Sequence, residues 1–431
     1  MSKLAKGKKA LETTRNARQY MPSFFNRTEI AKTKKHVAWC MQGVPPELLV
    51  AFDVAAEWPE NFGALSASTG YATKNIEAAE AEGYGSELCS YLLNTMGYLS
   101  RKEQGTVEPE APQLAEPTMM LGSGYACEPR YKWFQAASTH YNHVPVHISD
   151  PLSPPYTINA KDERVKDHYL DLMRRDIHRQ IEFLEEQTGE KLDVDKLRTA
   201  VKYALESDWY FYQAMQFNKD GPCIWSATDY FMAINGQLWM MGTEESANFF
   251  KALYEEMKEK AELKKGVIED EKHRFLWFGI PPWYNLGLFN YLEDRGVTFP
   301  FIVMYHLGKS PEDIDLSDPV EAIVQKAWYK AQWVHEGGAQ ALPEAMNPSP
   351  AYIFLGTDEQ RRIIRDFKID GAIMHRTRTC RAVTVGQLFN RDILTQAGLK
   401  SLVFESDMAD PRSWSDEKIL GQIEAYLETL N

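Results

Sequence analysis

Three of the five cysteines in this 431-residue chain stand where chemistry is most readily built. Cys127 follows the apolar run 118–122, in Gly122-Ser123-Gly124-Tyr125-Ala126-Cys127-Glu128-Pro129, and Cys380 follows the run 371–374, in His375-Arg376-Thr377-Arg378-Thr379-Cys380-Arg381. Both runs read as strands, so both thiols fall just past strand carboxyl ends, where open α/β sheets bind their ligands. Cys89, in Leu88-Cys89-Ser90-Tyr91, opens a helical run after Gly83-Tyr84-Gly85. Unpaired N–H groups and partial positive charge at helix starts favour thiolate, and Arg376, Arg378 and Arg381 act in the same direction on Cys380. Three thiolates meeting in one crevice suit an iron–sulfur cluster whose remaining iron is open to a substrate oxygen or water. Zinc held by the three cysteines and a histidine, such as His375, is the competing reading. Taken singly, a cysteine is more often a small buried hydrophobe than a ligand.

The remaining two cysteines are weaker candidates. Cys223, in Gly221-Pro222-Cys223, has no motif to support it as a ligand, whereas Cys40 ends the first apolar run and is a possible fourth ligand. No CxxC pair is present, which argues against a zinc knuckle or a thioredoxin-like site. Sparse, odd-numbered cysteines fit a reducing compartment.

Positioning such thiols takes a large scaffold. The length predicts two or three domains, and 44% apolar with 12% aromatic residues excludes a disordered or collagen-like chain. With 61 acidic against 48 basic residues, a formal charge of −13 argues against nucleic acid as a partner. No apolar run reaches membrane-spanning length, and no apolar core follows the basic start Met1-Ser2-Lys3-Leu4-Ala5-Lys6, so no secretory signal is read. A soluble cytoplasmic protein without membrane contact is expected. Residues 1–35 read as a basic helical arm. Strand-like runs at 36–41, 118–122 and 144–148, separated by helical stretches, predict a first α/β domain over 36–155. The proline-rich Asp150-Pro151-Leu152-Ser153-Pro154-Pro155-Tyr156 reads as a linker. Tyr169, Met173, Ile177, Ile181 and Leu184 then mark an amphipathic helix in a helical domain over 156–270, with Asp193 capping the next helix. Runs at 274–279, 301–305, 371–374 and 401–405 predict a second α/β domain over 271–431. The fold class is thus α/β: two flavodoxin- or Rossmann-like parallel-sheet domains, a helical insert and an N-terminal helical arm.

Five segments occur in a telling order: Cys89-Ser90-Tyr91; Cys127…Lys132-Trp133; Glu271-Lys272-His273-Arg274…Gly279-Ile280-Pro281-Pro282-Trp283; Asp370-Gly371…Cys380; and Glu405-Ser406-Asp407…Ala409-Asp410-Pro411-Arg412. From Trp39 to the last helix, the chain resembles the ATP-dependent benzoyl-CoA reductases and (R)-2-hydroxyacyl-CoA dehydratases. The resemblance implies that Cys89, Cys127 and Cys380 each bind one iron of a single 4Fe–4S cluster. It also implies a homologous subunit with its own cluster and an ATP-hydrolysing iron–sulfur activator that delivers single electrons. This chain shows no defensible phosphate-cradling glycine loop, so ATP is assigned to the activator. The chemistry is coherent, because cluster potentials reach down to about −700 mV and reducing an activated aromatic ring needs an electron of very low potential.

Dehydratases of this family typically carry hydroxyl side chains just before the first Pro-x-Glu helix, where this chain has Cys40-Met41-Gln42. That departure shifts the expectation toward an aryl-CoA reductase yielding a cyclic diene. A dehydratase working through a ketyl radical is the alternative, and an electron-relay or scaffold subunit without substrate contact is a third. The aromatic acyl-CoA thioester would then meet Gln42, Glu47 and Glu60. Glu60 matches a family carboxylate facing the substrate and, kept protonated by burial, could act as a catalytic proton donor; otherwise it belongs to a helix end. Glu47 is otherwise a favourable charge at a helix start. His147, His306 and His375 are candidate proton donors, and Asp410 reads as the cap of the last helix.

Overall fold

Continuous apolar runs, rather than alternating ones, mark strands buried on both faces of a parallel sheet. The computed structural model describes residues 7–124, 127–150, 163–303, 313–339 and 357–430, and its strands follow that rule. The first sheet comprises β1 (Val37–Cys40), β2 (Ala55–Glu57), β3 (Met119–Gly122) and β4 (Val146–Ile148), all parallel in the order β2-β1-β3-β4. The second comprises β5 (His273–Phe278), β6 (Val297–Ile302), β7 (Gly371–Thr377) and β8 (Lys400–Ser406), also parallel, in the order β6-β5-β7-β8. Every position of β1, β3 and β6 is buried. The fold is α/β, with two parallel sheets of the same strand order.

Between the sheets runs a helical region, Glu163–Thr188, Val194–Gln216, Ala227–Trp239 and Glu244–Glu262. Asp193 caps the second of these as expected, accepting from the N–H groups of Asp195 and Lys196. A capping box of Ser226 and Asp229 starts the third. Among the described residues, no helix is long and apolar enough to cross a membrane.

Local differences from the sequence reading have physical reasons. The arm is four short helices, Glu12–Arg15, Ala17–Tyr20, Pro22–Phe25 and Arg27–Ala31, not one, interrupted at Asn16, Met21 and Asn26. β2 was not expected, because Ala55-Ala56-Glu57 has little strand propensity of its own and is recruited by pairing with β1. β6 begins before Pro300 rather than after it; proline is tolerated there because β6 is an edge strand with a register shift against β5. Pro59 starts a helix, Pro59–Thr69, and so places Glu60 in its first turn. The expected linker beyond Asp150, and His306, lie outside the described residues.

Two close approaches need glycine. Gly97 lies where a Cβ would meet the Asn75 carbonyl oxygen, so the helix Ser90–Glu103 seats directly on Ala72–Ala81. Gly279, with φ +100°, turns the chain out of β5 against the backbone of His375 in β7.

Candidate functional site

Each sheet places its second strand outside its first and its third on the other side, so each has a topological switch point between first and third strands. The chain leaving β1 supplies Gln42, and that leaving β3 supplies Cys127 and Arg130. The chain leaving β5 supplies Ile280 and Trp283, and that leaving β7 supplies Cys380. All of these line one cavity of about 370 Å³, together with Glu60, Cys89, Tyr91, Phe231, Trp239 and Met408. The structure therefore brings Gln42, Glu60 and the three cysteines together, at the joint mouth of two switch points.

Cys89 and Cys380 occupy N-cap positions, before Ser90–Glu103 and Arg381–Thr384, and Cys127 stands two residues before Pro129–Ser138. Burial pushes the Cys89 thiol up to about 12, with nearby Cys127 adding to the rise and the N–H groups of Leu92 and Tyr91 offsetting part of it. Cys380 is raised well above the usual thiol range by burial, then by Cys89 and Cys127. Cys127 is raised by burial, with Arg130 opposing. The thiolate-favouring environment expected from helix starts and arginines is thus overridden: desolvation wins, because Arg376, Arg378 and Arg381 turn outward toward Glu405 and Glu128.

A carboxylate that the sequence reading treated only as part of a motif holds two of the cysteine loops. Buried Asp407 accepts from the Thr379 N–H (3.2 Å) and hydroxyl (2.6 Å) with one oxygen, and from the Ala409 (2.9 Å) and Asp410 (3.0 Å) N–H groups with the other. The Thr379 oxygen in turn accepts from the Ser90 N–H at 3.2 Å. The backbone beside Cys89 is thereby tied to the backbone beside Cys380.

Glu60 lines the cavity in an ion pair. Its Oε1 takes the buried Arg130 guanidinium, with Nε at 3.1 Å and Nη2 closer, and its Oε2 accepts from the Gln42 N–H at 2.8 Å. Arg130 also donates to the Gln42 carbonyl (3.1 Å) and side-chain oxygen (3.3 Å). Arg130 was missed as a separate site residue, although it lies inside the quoted segment that begins at Cys127.

Glu47 is displaced from the cavity lining. It is buried against Lys326, with which it forms an ion pair. Burial pulls the Lys326 ammonium down, but Glu47 and Asp208 outweigh it and hold the group above its ordinary value. His375 is also spent: its Nδ1–H donates to the Ile280 carbonyl at 2.5 Å, and its Nε2 accepts from the Ser406 hydroxyl at 2.7 Å. Burial lowers its pKa to about 4, so it is neutral imidazole. His147 stacks on Phe183, and its pKa is likewise lowered by burial. Cys40 belongs to the core on the face of β1 opposite Trp39 and Met41, away from the cavity. Cys223 is buried, its thiol facing the Trp225 carbonyl at 3.4 Å. Asp410 caps the short turn Pro411–Ser413, while Ser415 caps the last helix, Asp416–Glu428.

Among the described residues, no three His, Cys, Asp or Glu side chains converge closely enough to ligate one metal ion, and His375 has both nitrogens engaged. His375 is therefore not free to complete a site with the cysteines. Three thiols from separate elements, around one cavity and close enough to raise one another's pKa, form a donor set suited to a larger, all-thiolate-held body such as a cubane cluster.

The family described as 2-hydroxyglutaryl-CoA dehydratase, D-component (HGD-D), matches residues 41–430. The chain is 25% identical over 418 residues to the (R)-2-hydroxyisocaproyl-CoA dehydratase alpha subunit of Clostridioides difficile, covering 96% of this chain and 94% of that one. It is 24% identical to the (R)-phenyllactyl-CoA dehydratase alpha subunit of Clostridium sporogenes, covering 93% and 91%. Identity to a benzoyl-CoA reductase subunit of Thauera aromatica is 22%, covering 92% and 89%. These relatives are named as subunits of enzymes acting on CoA thioesters.

Proposed function

Because the chain belongs to the 2-hydroxyglutaryl-CoA dehydratase, D-component family, we propose that it is the substrate-binding, cluster-carrying subunit of a benzoyl-CoA-type reductase. The observation that carries the reading is the single cavity in which Cys89, Cys127 and Cys380 meet an aromatic lining of Phe24, Phe25, Tyr91, Phe231, Trp239 and Trp283. Cys89, Cys127 and Cys380 would hold a 4Fe–4S cluster. When bound, the cluster supplies low-potential single electrons and one open iron.

The chain's own residues do the rest. The aromatic walls accept a planar apolar acyl group and exclude water, which would otherwise quench a strongly reducing site. Trp283 donates its indole N–H to the Tyr91 hydroxyl, fixing both rings. Glu60 and Arg130 pair with each other and together hold Gln42 at the cavity wall. A homologous cluster-bearing subunit and an ATP-hydrolysing activator complete the complex in this reading, and its place is the cytoplasm.

A second reading, the corresponding subunit of a 2-hydroxyacyl-CoA dehydratase, is favoured by the names of two of the three relatives described. Anaerobic assay of the purified complex with benzoyl-CoA and with 2-hydroxyacyl-CoA thioesters separates the two. A cyclic diene formed with consumption of electrons supports the reductase. An alkenoyl-CoA formed without net electron consumption, and no diene, overturns it in favour of the dehydratase.

A further inference from the structure

Part of the cavity wall comes from the N-terminal arm, which precedes the family match at residue 41: Gly7, Lys9, Arg18, Phe24, Phe25 and Arg27 all line it. The arm is seated there firmly. The N–H groups of Ala10 and Leu11 donate to Asp229 at 3.0 and 3.1 Å, and those of Glu12 and Thr13 donate to Glu256, both at 2.8 Å. A Cβ on Gly7 would lie 2.6 Å from the Thr228 methyl and 2.9 Å from the Leu286 Cβ, so the chain lies flush on the helical region.

Four cationic side chains line this cavity among the described residues, and two are already committed. Arg130 is engaged by Glu60, and Arg27 faces Glu57 at 3.4 Å. The other two are both on the arm. Lys9 donates to the Thr14 carbonyl at 3.2 Å, and burial lowers its pKa despite the opposing pull of Asp229, whose oxygens are taken by the arm's own N–H groups. Arg18 is exposed, lying over the Phe25 ring at 5.0 Å without a carboxylate partner among the described residues. In a chain of net charge −13, two cations left over at one cavity are a specific feature. Arg18 is exposed whereas the three cysteines are half-buried, so a ligand spanning them would carry its anionic part toward the arm. We propose that Lys9 and Arg18 receive the phosphate groups of the coenzyme A portion of the thioester while the acyl group lies toward the cysteines. Guanidinium and ammonium groups bind phosphate oxygens through charge-assisted hydrogen bonds, and partial desolvation strengthens them.

This inference rests on the reading of the ligand as a CoA thioester, and two probes keep the two apart. Equilibrium binding to the full-length protein in its complex is measured for benzyl-CoA thioether, which cannot react, and for the benzyl-pantetheine thioether, which lacks the phosphates. Lys9→Gln/Arg18→Gln should weaken benzyl-CoA binding by about 10- to 100-fold, the scale of two partly exposed charge-assisted bonds. It should leave the pantetheine compound within about twofold and flatten the salt dependence of benzyl-CoA binding. Lys9→Arg/Arg18→Lys, which keeps both charges, should restore most of the affinity. Equal benzyl-CoA affinity in wild type and the Gln variant overturns the inference and leaves the proposed function standing. Failure of the wild-type complex to bind either compound overturns both.

Discussion

Asp407→Asn tests how the cysteine loops are held. The carboxylate of Asp407 takes four hydrogen bonds, two on each oxygen, from Thr379, Ala409 and Asp410. An amide in its place offers one oxygen and one NH₂. If the NH₂ faces Ala409 and Asp410, two backbone donors are orphaned. If it faces Thr379, the hydroxyl can turn to accept from it and only the Thr379 N–H loses its partner. The second arrangement is cheaper, and one buried unsatisfied donor costs about 1–3 kcal/mol. That penalty falls on the residue before Cys380 and, through the Thr379 oxygen, on the Ser90 N–H beside Cys89. The variant should therefore lose about 1–3 kcal/mol in denaturant titration. In the reduced, metal-free protein its Cys380 and Cys89 should also alkylate faster, while Cys223 keeps its wild-type rate. Unchanged stability together with unchanged Cys380 and Cys89 rates would refute the claim that this carboxylate positions the loops.

Lys326→Met should cost about 3–5 kcal/mol, because it leaves Glu47 buried and uncompensated, whereas Glu47→Gln/Lys326→Met should recover much of the loss. Thioester affinity should be unchanged in the folded double variant; a loss of affinity measured by calorimetry would return Glu47 to the substrate pocket. His375 has a folded pKa lowered to about 4, so between the ordinary histidine value near 6.5 and that point the unfolded chain binds the extra proton. Its contribution is intact above that window and is lost as pH falls through it, by up to about 3 kcal/mol. Glu293, raised to about 7 by burial, has the opposite sign: stability falls as pH rises from about 4.5 to 7. Glu293→Gln should therefore gain stability over wild type at pH 8 but not at pH 4.5, and equal differences at both values, read by thermal denaturation, would contradict the assignment.

The strands other than β2, and the places of the three cysteines beside strand and helix ends, were legible because they are local signals. Buried parallel strands read as apolar runs, and the thiols follow two of those runs and open one helix. The cavity itself was not legible, because it forms only when two sheets of the same order bring their switch points together. Pairings across long separations were equally hidden. Glu47 finds Lys326 at a separation of 279 residues, so its place beside Pro45-Pro46 could not reveal that it faces away from the ligand cavity. His375 looked available because it is near Cys380 in sequence, yet pairing of β7 with its neighbours turns it toward Ile280 and Ser406. Glu60 lines the cavity, but its pairing with Arg130 was hidden, since the two lie 70 residues apart in sequence. The arm's role at the cavity was hidden for the same reason: Asp229 and Glu256, which fasten it, lie more than two hundred residues away.

The central claim is that three thiols hold one four-iron cluster. Iron and acid-labile sulfide, with low-temperature electron paramagnetic resonance of the reduced protein, measure it directly after anaerobic purification of Cys89→Ala, Cys127→Ala, Cys380→Ala and Cys223→Ala. Four irons per chain in wild type and Cys223→Ala, with loss of most iron and of the cluster signal in each of the other three, is the predicted result. Full iron content and an unaltered signal in the Cys89, Cys127 and Cys380 variants would contradict it.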